Sequence, residues 1–309
     1  MKVTEVQQTQ CVYKRPSKKF NVDYIWGYLF IAPLVIGLGV FYIYPFIKSF
    51  FYSFTNINNF NQATFVGLEN YKKLFGAPEL WQATWNTLRY VIITVPIGIA
   101  LSLIIAALLN TKIKGTSIYR TLYFLPAVTM PAAIAMVWKW IYNGNYGVLN
   151  QILGVLGIEG QNWLSSPDYA LYMVMIVGIW SMIGYNMIIL LAGMQGIPDT
   201  YYEAASIDGA GAFRKFFKIT VPLLTPTIFF VLITGLISGF QVFDTIYMMI
   251  GKSSLAFEST QSLVMLFYRN AFDYGQKGYA SAVAMFIFTI IMIITVIQVK
   301  LQKKWVNYD

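Results

Sequence analysis

Histidine is absent from this 309-residue chain, and cysteine occurs once, as Cys11. A lone cysteine permits no intrachain disulfide. The missing imidazole excludes His-ligated zinc, Ser–His intramembrane proteolysis and histidine proton relays. The chain has no G-x-x-x-x-G-K-[ST] phosphate loop, so it carries no nucleotide cradle of that kind. Charge is scarce too: Asp, Glu, Lys and Arg make up 11% of the residues, against roughly 25% in soluble domains. Internal repeats and low-complexity tracts are also missing.

What fills the chain instead is apolar sequence, 57% of all residues, with a mean hydropathy of +0.58. Several runs reach the ~20 residues a helix needs to cross the hydrocarbon core. In lipid the backbone must satisfy its own hydrogen bonds, so such runs are helices. The expected fold is an all-α polytopic membrane protein with six transmembrane helices, at 26–50, 85–109, 119–140, 170–192, 222–250 and 279–301. A polar, Lys-rich cytoplasmic tail, residues 1–24, precedes a membrane domain over 25–309. The first apolar run is of full span length, so it reads as a retained helix and not as a cleaved signal.

The net charge of +9 is unevenly placed. Most Lys and Arg fall in the N-terminal tail, the second and fourth loops and the C-terminal tail, with Lys14, Arg15, Lys112, Arg214 and Lys303 among them. The positive-inside rule puts that side, with both termini, in the cytoplasm of a multi-pass cell-membrane protein. Lipid is thus a partner, and the basic residues mark topology and not nucleic-acid binding. On the opposite side, Leu68, Tyr71 and Phe75 share one face of an expected interfacial helix. Trp138, Trp140, Tyr142 and Tyr146 form an aromatic belt, and a short helix is expected around 149–156.

The segment 193–221 is the least membrane-like stretch between two spans. Pro198 and the Thr200–Glu203 capping-box spacing start a short helix. Gly209 and Gly211 stop it. A second helix follows, expected to bury Phe213, Phe216 and Phe217 and to turn Arg214, Lys215 and Lys218 to headgroups. Tyr201, Ala204, Ala205 and Asp208 recur at helical intervals around a small-residue centre that lets a partner backbone approach. From the residues alone, an ordinary cytoplasmic hairpin remains the alternative.

Within the spans, Gly235-x-x-x-Gly239, Gly278-x-x-x-Ala282 and Ala280-x-x-x-Ala284 are small-residue packing patterns. Pro33, Pro96, Pro126, Pro131 and Pro226 read either as kinks around a pathway or as ordinary membrane-helix prolines. Polar groups in spans are costly and point to a solute path. The candidates are Trp180, Tyr185 and Asn186 in the fourth span, with Ser181 nearby, and Ser238, Gln241 and Asp244 in the fifth. Asn186 and Gln241 are the strongest of these, with interhelical hydrogen bonding as their alternative role. Asp244 either pairs with Lys252 or caps a broken helix.

Glu203-Ala204-Ala205, then Gly209, Ile219 and Pro222, resemble the EAA loop of ABC importer permeases. The wider wording, Tyr201 to Ala210 with Pro222-Leu223-Leu224-Thr225-Pro226, is similar to the carbohydrate-uptake branch. So are Phe243 to Met249 and Gly278 to Ala282. Val221 stands where that family usually has Leu, and Ile250-Gly251-Lys252 where it commonly has Gly-Gly-Pro. The resemblance covers roughly residue 25 to the C-terminus.

The resemblance implies an ATP-driven, binding-protein-dependent importer of sugars, with oligosaccharides expected. Two separate ATPase subunits would carry ATP and Mg, a second permease subunit would complete a heterodimer, and an extracellular solute-binding protein would deliver the cargo. This chain would bind no cofactor or metal and would not be an enzyme. Tyr201, Glu203, Ala204, Ala205, Asp208 and Gly209 would form the ATPase-docking face. Another polar solute such as glycerol phosphate is the alternative cargo. A secondary transporter is disfavoured by span interiors nearly free of carboxylates, and an intramembrane enzyme by the missing His and carboxylate pair.

Overall fold

Helix α1, Val22–Leu38, opens the computed structural model, which describes residues 22–57, 62–111 and 114–307. Most of the 1–24 tail, with Cys11, and Lys112 of the second loop lie outside the described residues. After α1 comes a five-residue π-helical segment, Gly39–Ile43, and then α2, Tyr44–Tyr52. Together they make one apolar run, Tyr24–Tyr52, long enough to cross a membrane, with its side chains exposed. Lipid is the natural solvent of such a surface. The chain divides into the units Met1–Lys48 and Ser49–Asp309, and the site lies in the second.

That second unit opens with two short strands, β1 (Thr55–Ile57) and β2 (Ala63–Phe65), paired antiparallel with Asn56 opposite Thr64. Helix α3 (Glu69–Gly76) is stitched to them by Asn70 Nδ2, which donates to the carbonyls of Ser53 and Thr55 at 2.9 Å each. Asn70 and Leu74 face inward, whereas Leu68 and Phe75 stay exposed, in keeping with an interfacial helix.

Helix α4, Pro78–Leu109, begins well before residue 85, because Pro78 sits where a missing N–H costs nothing. Helices α5 (Thr116–Val128) and α6 (Pro131–Ile141) follow, then α7 (Val148–Val155), close to the expected 149–156, and the long α8 (Ala170–Gln195). The chain continues through α9 (Asp199–Ile207), α10 (Ala212–Lys215), a π-helical segment Phe216–Thr220, and α11 (Val221–Leu223). It goes on to α12 (Thr225–Phe240), α13 (Asp244–Met249), α14 (Phe257–Thr260) and α15 (Leu263–Tyr268). A π-helical segment, Arg269–Asp273, leads into α16 (Lys277–Gln302).

Four helices are long and apolar enough to cross a membrane, or up to six if each of two bent pairs is one span. The expected third span, 119–140, is not one helix: α5 and α6 meet at 100°. Pro131 forces the residue before it out of the helical region, and Thr129 and Met130 are extended, with ψ of 141° and 132°. The expected fifth span, 222–250, is likewise divided. A 67° bend at Leu224 precedes Pro226, and α12 ends at Phe240 before α13 resumes at Asp244. The Val242 carbonyl at this second break accepts from Ser262 Oγ at 2.7 Å.

The core is built on α4, α8 and α12, with Val91, Val95, Met187, Leu190 and Val231 buried between them. In a membrane, close packing and not water exclusion holds helices together. A Cβ on Gly235 would lie 3.2 Å from Val95 Cγ1, and one on Gly239 would lie 3.1 Å from Val91 Cγ2. The Gly235–Gly239 pattern therefore seats α12 on α4 within this chain. At Gly184 a Cβ would strike the Tyr123 carbonyl, so glycine lets α5 approach α8 closely at that point.

Candidate solute cavity and docking hairpin

A cavity of about 570 Å³ lies among α4, α8, α12 and the two helix breaks. Helical spacing builds its polar wall. Ser181 and Tyr185 are four apart on α8 beside Asn186, and Thr234 and Ser238 are four apart on α12. Gln241 and Asp244 come from the break after α12, and Thr129 and Pro131 from the break between α5 and α6. Irregular backbone at membrane depth is tolerated where it lines such a cavity.

Five of the six sequence candidates meet here: Tyr185, Asn186, Ser238, Gln241 and Asp244. Trp180 does not join them. It packs edge-on against Trp138, centroids 5.5 Å apart, and Trp138 in turn packs on Tyr142 at 5.2 Å. Asp244 does not pair with Lys252, whose ammonium binds Asp273 at 2.7 Å. It stands instead in the first turn of α13, just past the break.

Asn186 is 4% exposed, and its Nδ2 has no partner among the described residues. A buried amide donor without a partner is rare and calls for one. Thr94 and Thr234 spend their hydroxyl protons on the carbonyls of Tyr90 (2.7 Å) and Phe230 (2.9 Å), leaving lone pairs toward the cavity. Asp244 is the only charged side chain among the described lining residues. The arrangement offers amide and hydroxyl groups beside an aromatic ring, suited to an uncharged, hydroxyl-rich solute.

Sequence reasoning passed over Tyr90, Thr94 and Thr234. Tyr90 is buried, and a Cβ on Gly178 would strike its hydroxyl, so only glycine admits it beside α8. Their usable signal was the helical interval of four that separates Tyr90 from Thr94 on α4, and Thr234 from Ser238 on α12.

The second site is the hairpin after α8. None of α9 is buried. Tyr201, Glu203, Ala204, Asp208 and Gly209 are exposed together, while Ala205 is half-buried and turns inward beside Tyr202. Gly209 has φ +73°; its N–H reaches the Ser206 carbonyl at 3.1 Å, and the Ala210 N–H reaches that of Ala205 at 2.8 Å. This is a Schellman closure, in which glycine supplies the left-handed residue. The expected Thr200–Glu203 capping box does not form: Pro198 occupies the cap position and no side chain caps the helix.

Lys215 does not face headgroups, since its Nζ donates to Ser206 Oγ at 2.6 Å. The expected burial of Phe213 and Phe217 also fails, with exposures of 84% and 61%, and only Phe216 packs on the core. Phe213 and Phe217, four apart, turn to the exposed side while Phe216 turns to the core.

Helices long and apolar enough to cross a membrane, a polar cavity among them and an exposed hairpin are the features of a multi-pass membrane transport component. The sequence profile described as binding-protein-dependent transport system inner membrane component matches residues 98–307. The chain belongs to that family, the ABC transporter permeases.

It is 39% identical over 298 residues to a probable ABC transporter permease of Bacillus subtilis, covering 96% of each chain. It is 34% identical to the trehalose/maltose transport system permease of Thermococcus litoralis, covering 89% of this chain and 92% of that one. A chain of the bacterial alginate ABC transporter, solved with an alginate pentasaccharide-bound periplasmic protein, shares the fold. Its TM-score is 0.82 at 20% identity, over 92% of this chain and 96% of that chain.

Proposed function

We propose that this chain is one permease subunit of an ATP-driven, binding-protein-dependent importer of sugars, with oligosaccharides as the favoured cargo. The observation that carries this reading is the convergence of Tyr185 and Asn186 of α8 with Ser238, Gln241 and Asp244 of α12 and the break after it on one cavity. Its volume, about 570 Å³, is within the ~300–1,000 Å³ of small-molecule sites. The printed cargo of the Thermococcus relative, trehalose and maltose, supports the same chemistry.

In this reading each bent pair is one span, giving six, and both termini are cytoplasmic with the 193–221 loop. The tail 1–24 stays outside the membrane domain, 25–309. The exposed face of α9, with Tyr201, Glu203, Ala204 and Asp208, enters a cleft on one of two ATPase subunits, which hold ATP and Mg. Gly209 sets its turn and Ala205 supports it from within. A second, different permease subunit completes the pathway, and an extracellular solute-binding protein delivers the sugar.

Glycerol phosphate fits the cavity less well. A phosphate dianion would meet Asp244 with no cation among the described lining residues to offset it. The test is to purify this chain with its genomic neighbours, reconstitute them in liposomes, and offer sugars through the binding protein. ATP-dependent sugar uptake by an assembly with two permeases and two ATPases is expected. Uptake by this chain alone, without ATP, would sink the proposal.

A further inference from the structure

A second hollow, of about 850 Å³, lies between the loop after α13 and the segment preceding α16. Four charged residues among those described line it, Lys252, Glu258, Arg269 and Asp273, and three of them are held by side chains. Lys252 Nζ donates to both Asp273 carboxylate oxygens, at 2.8 and 2.7 Å. Arg269 donates to Gln261 Oε1 at 2.9 Å and to the Tyr274 hydroxyl at 2.7 Å. The same guanidinium lies 4.9 Å from the Phe257 ring centroid and 5.5 Å from that of Tyr274. Fixed polar groups beside aromatic faces make a receptive surface for a hydroxylated ring.

This hollow is joined to the central cavity by aromatic rings in unbroken contact. Phe272, on the hollow's wall, packs on Tyr268 at 5.0 Å. Tyr268 packs on Phe243 at 5.0 Å and on Tyr247 at 5.2 Å, and Phe243 stacks on Tyr247 at 5.1 Å and 25°. Phe243 lines the central cavity. The rings come in two helical pairs, 243/247 and 268/272, brought together by the break after α12.

We propose that Phe272, Tyr268 and Phe243 form a track along which a carbohydrate passes from an outer subsite, the hollow around Arg269 and Asp273, to the central cavity. The inference rests on the carbohydrate reading above. The C–H edge of a sugar ring carries partial positive charge and rests on the negative face of an aromatic ring. Successive rings about 5 Å apart let a sugar shift from one face to the next without leaving contact, so no single step requires full resolvation. The described lining carries two basic and two acidic residues, so it has no net charge and offers polar groups to a neutral hydroxylated solute.

The experiment uses the complete transporter in proteoliposomes with its binding protein. It is offered a mixture of oligosaccharides from hydrolysed starch, arabinan and pectin, and the lumen is read by mass spectrometry. Phe272 is 68% exposed, so its substitution leaves the fold standing. Phe272→Leu should slow initial uptake about tenfold, the upper range of one lost ring contact, while Phe272→Tyr, which keeps the ring, stays within about twofold. Equal uptake by wild type and Phe272→Leu would overturn the track, as would equal loss in both variants. Absence of any carbohydrate from wild-type lumens would overturn the carbohydrate reading and the track together.

Discussion

The hydroxyl groups of Tyr202 and Thr220 lie 3.0 Å apart, joining the inner face of α9 to the π-helical segment that leads into α12. This bond ties the exposed hairpin to the segment just ahead of the bend at Leu224, beyond which α12 carries Thr234 and Ser238 into the cavity. Tyr202→Phe removes one neutral hydrogen bond, worth about 1 kcal/mol. The expected result is normal assembly with the ATPase but less sugar moved per ATP hydrolysed, measured by parallel uptake and phosphate-release assays. An unchanged ratio would show that the bond transmits nothing.

Gly209 can be tested through its backbone alone. A Cβ there would meet nothing within 4 Å, so any effect comes from φ +73°. A left-handed conformation costs a non-glycine residue roughly 1–2 kcal/mol. Gly209→Ala should weaken co-purification of the ATPase about tenfold, and Gly209→Asn, which tolerates that region better, should weaken it less. Equal binding by wild type and both variants would remove α9 from the docking surface.

Asn186 separates stability from transport. Its Nδ2 is buried without a partner, so Asn186→Leu removes an unmet polar group and should leave melting temperature unchanged or raised. Uptake should nevertheless fall, and Gln241→Leu should lower it as well. Thermal unfolding of the detergent-purified complex and uptake in vesicles are the two measurements. A large drop in melting temperature for Asn186→Leu would instead assign the amide to helix packing.

The Lys252–Asp273 pair has a defined pH window. Its hydrogen bond to Asp273 raises the Lys252 pKa above the ordinary 10.5. A folded-state pKa raised in this way means the contribution is complete below the unfolded value and is lost only as pH rises through the folded one. Protease sensitivity of the 250–256 loop should therefore be flat from about pH 6 to 9, given the ordinary Lys value near 10.4. Asp273→Asn should raise it at every pH. A wild-type transition inside that window would show that another group holds the loop.

The sequence was legible where one physical constraint acts alone. Lipid demands about 20 apolar residues per crossing, so α8 and α16 lie close to their expected places and α4 ends where it was expected to. Gly209 was legible because a left-handed turn admits few other residues. The cavity was legible in part, since Asn186 and Gln241 are costly in a span unless used. Where two constraints compete, pattern alone falls short. Pro131 reads as a kink within 119–140, but whether proline kinks or divides a span depends on what the freed backbone meets. Strands β1 and β2 have three residues each, too short to show alternation. Trp180 and Tyr185 look equivalent in sequence, and only the packing of Trp138 on Trp180 separates them.

An unbroken helix moves as a rod, carrying displacement at one end to the other. The break at 241–243 denies α12 that property. The Val242 carbonyl is held by Ser262, while Asn86 of α4 donates to the carbonyls of Glu258 and Gln261, and Thr87 receives the Leu263 N–H. Past the break, then, the chain is fastened to the top of α4 and not to the hairpin below. If α9 docks as proposed, a pull on it enters α12 only through the 67° bend at Leu224, and the break at 241–243 keeps it from passing rigidly to the segment fastened to α4. In the proposed assembly the two sides of the cavity would therefore answer to different partners, and neither would have to lift the other.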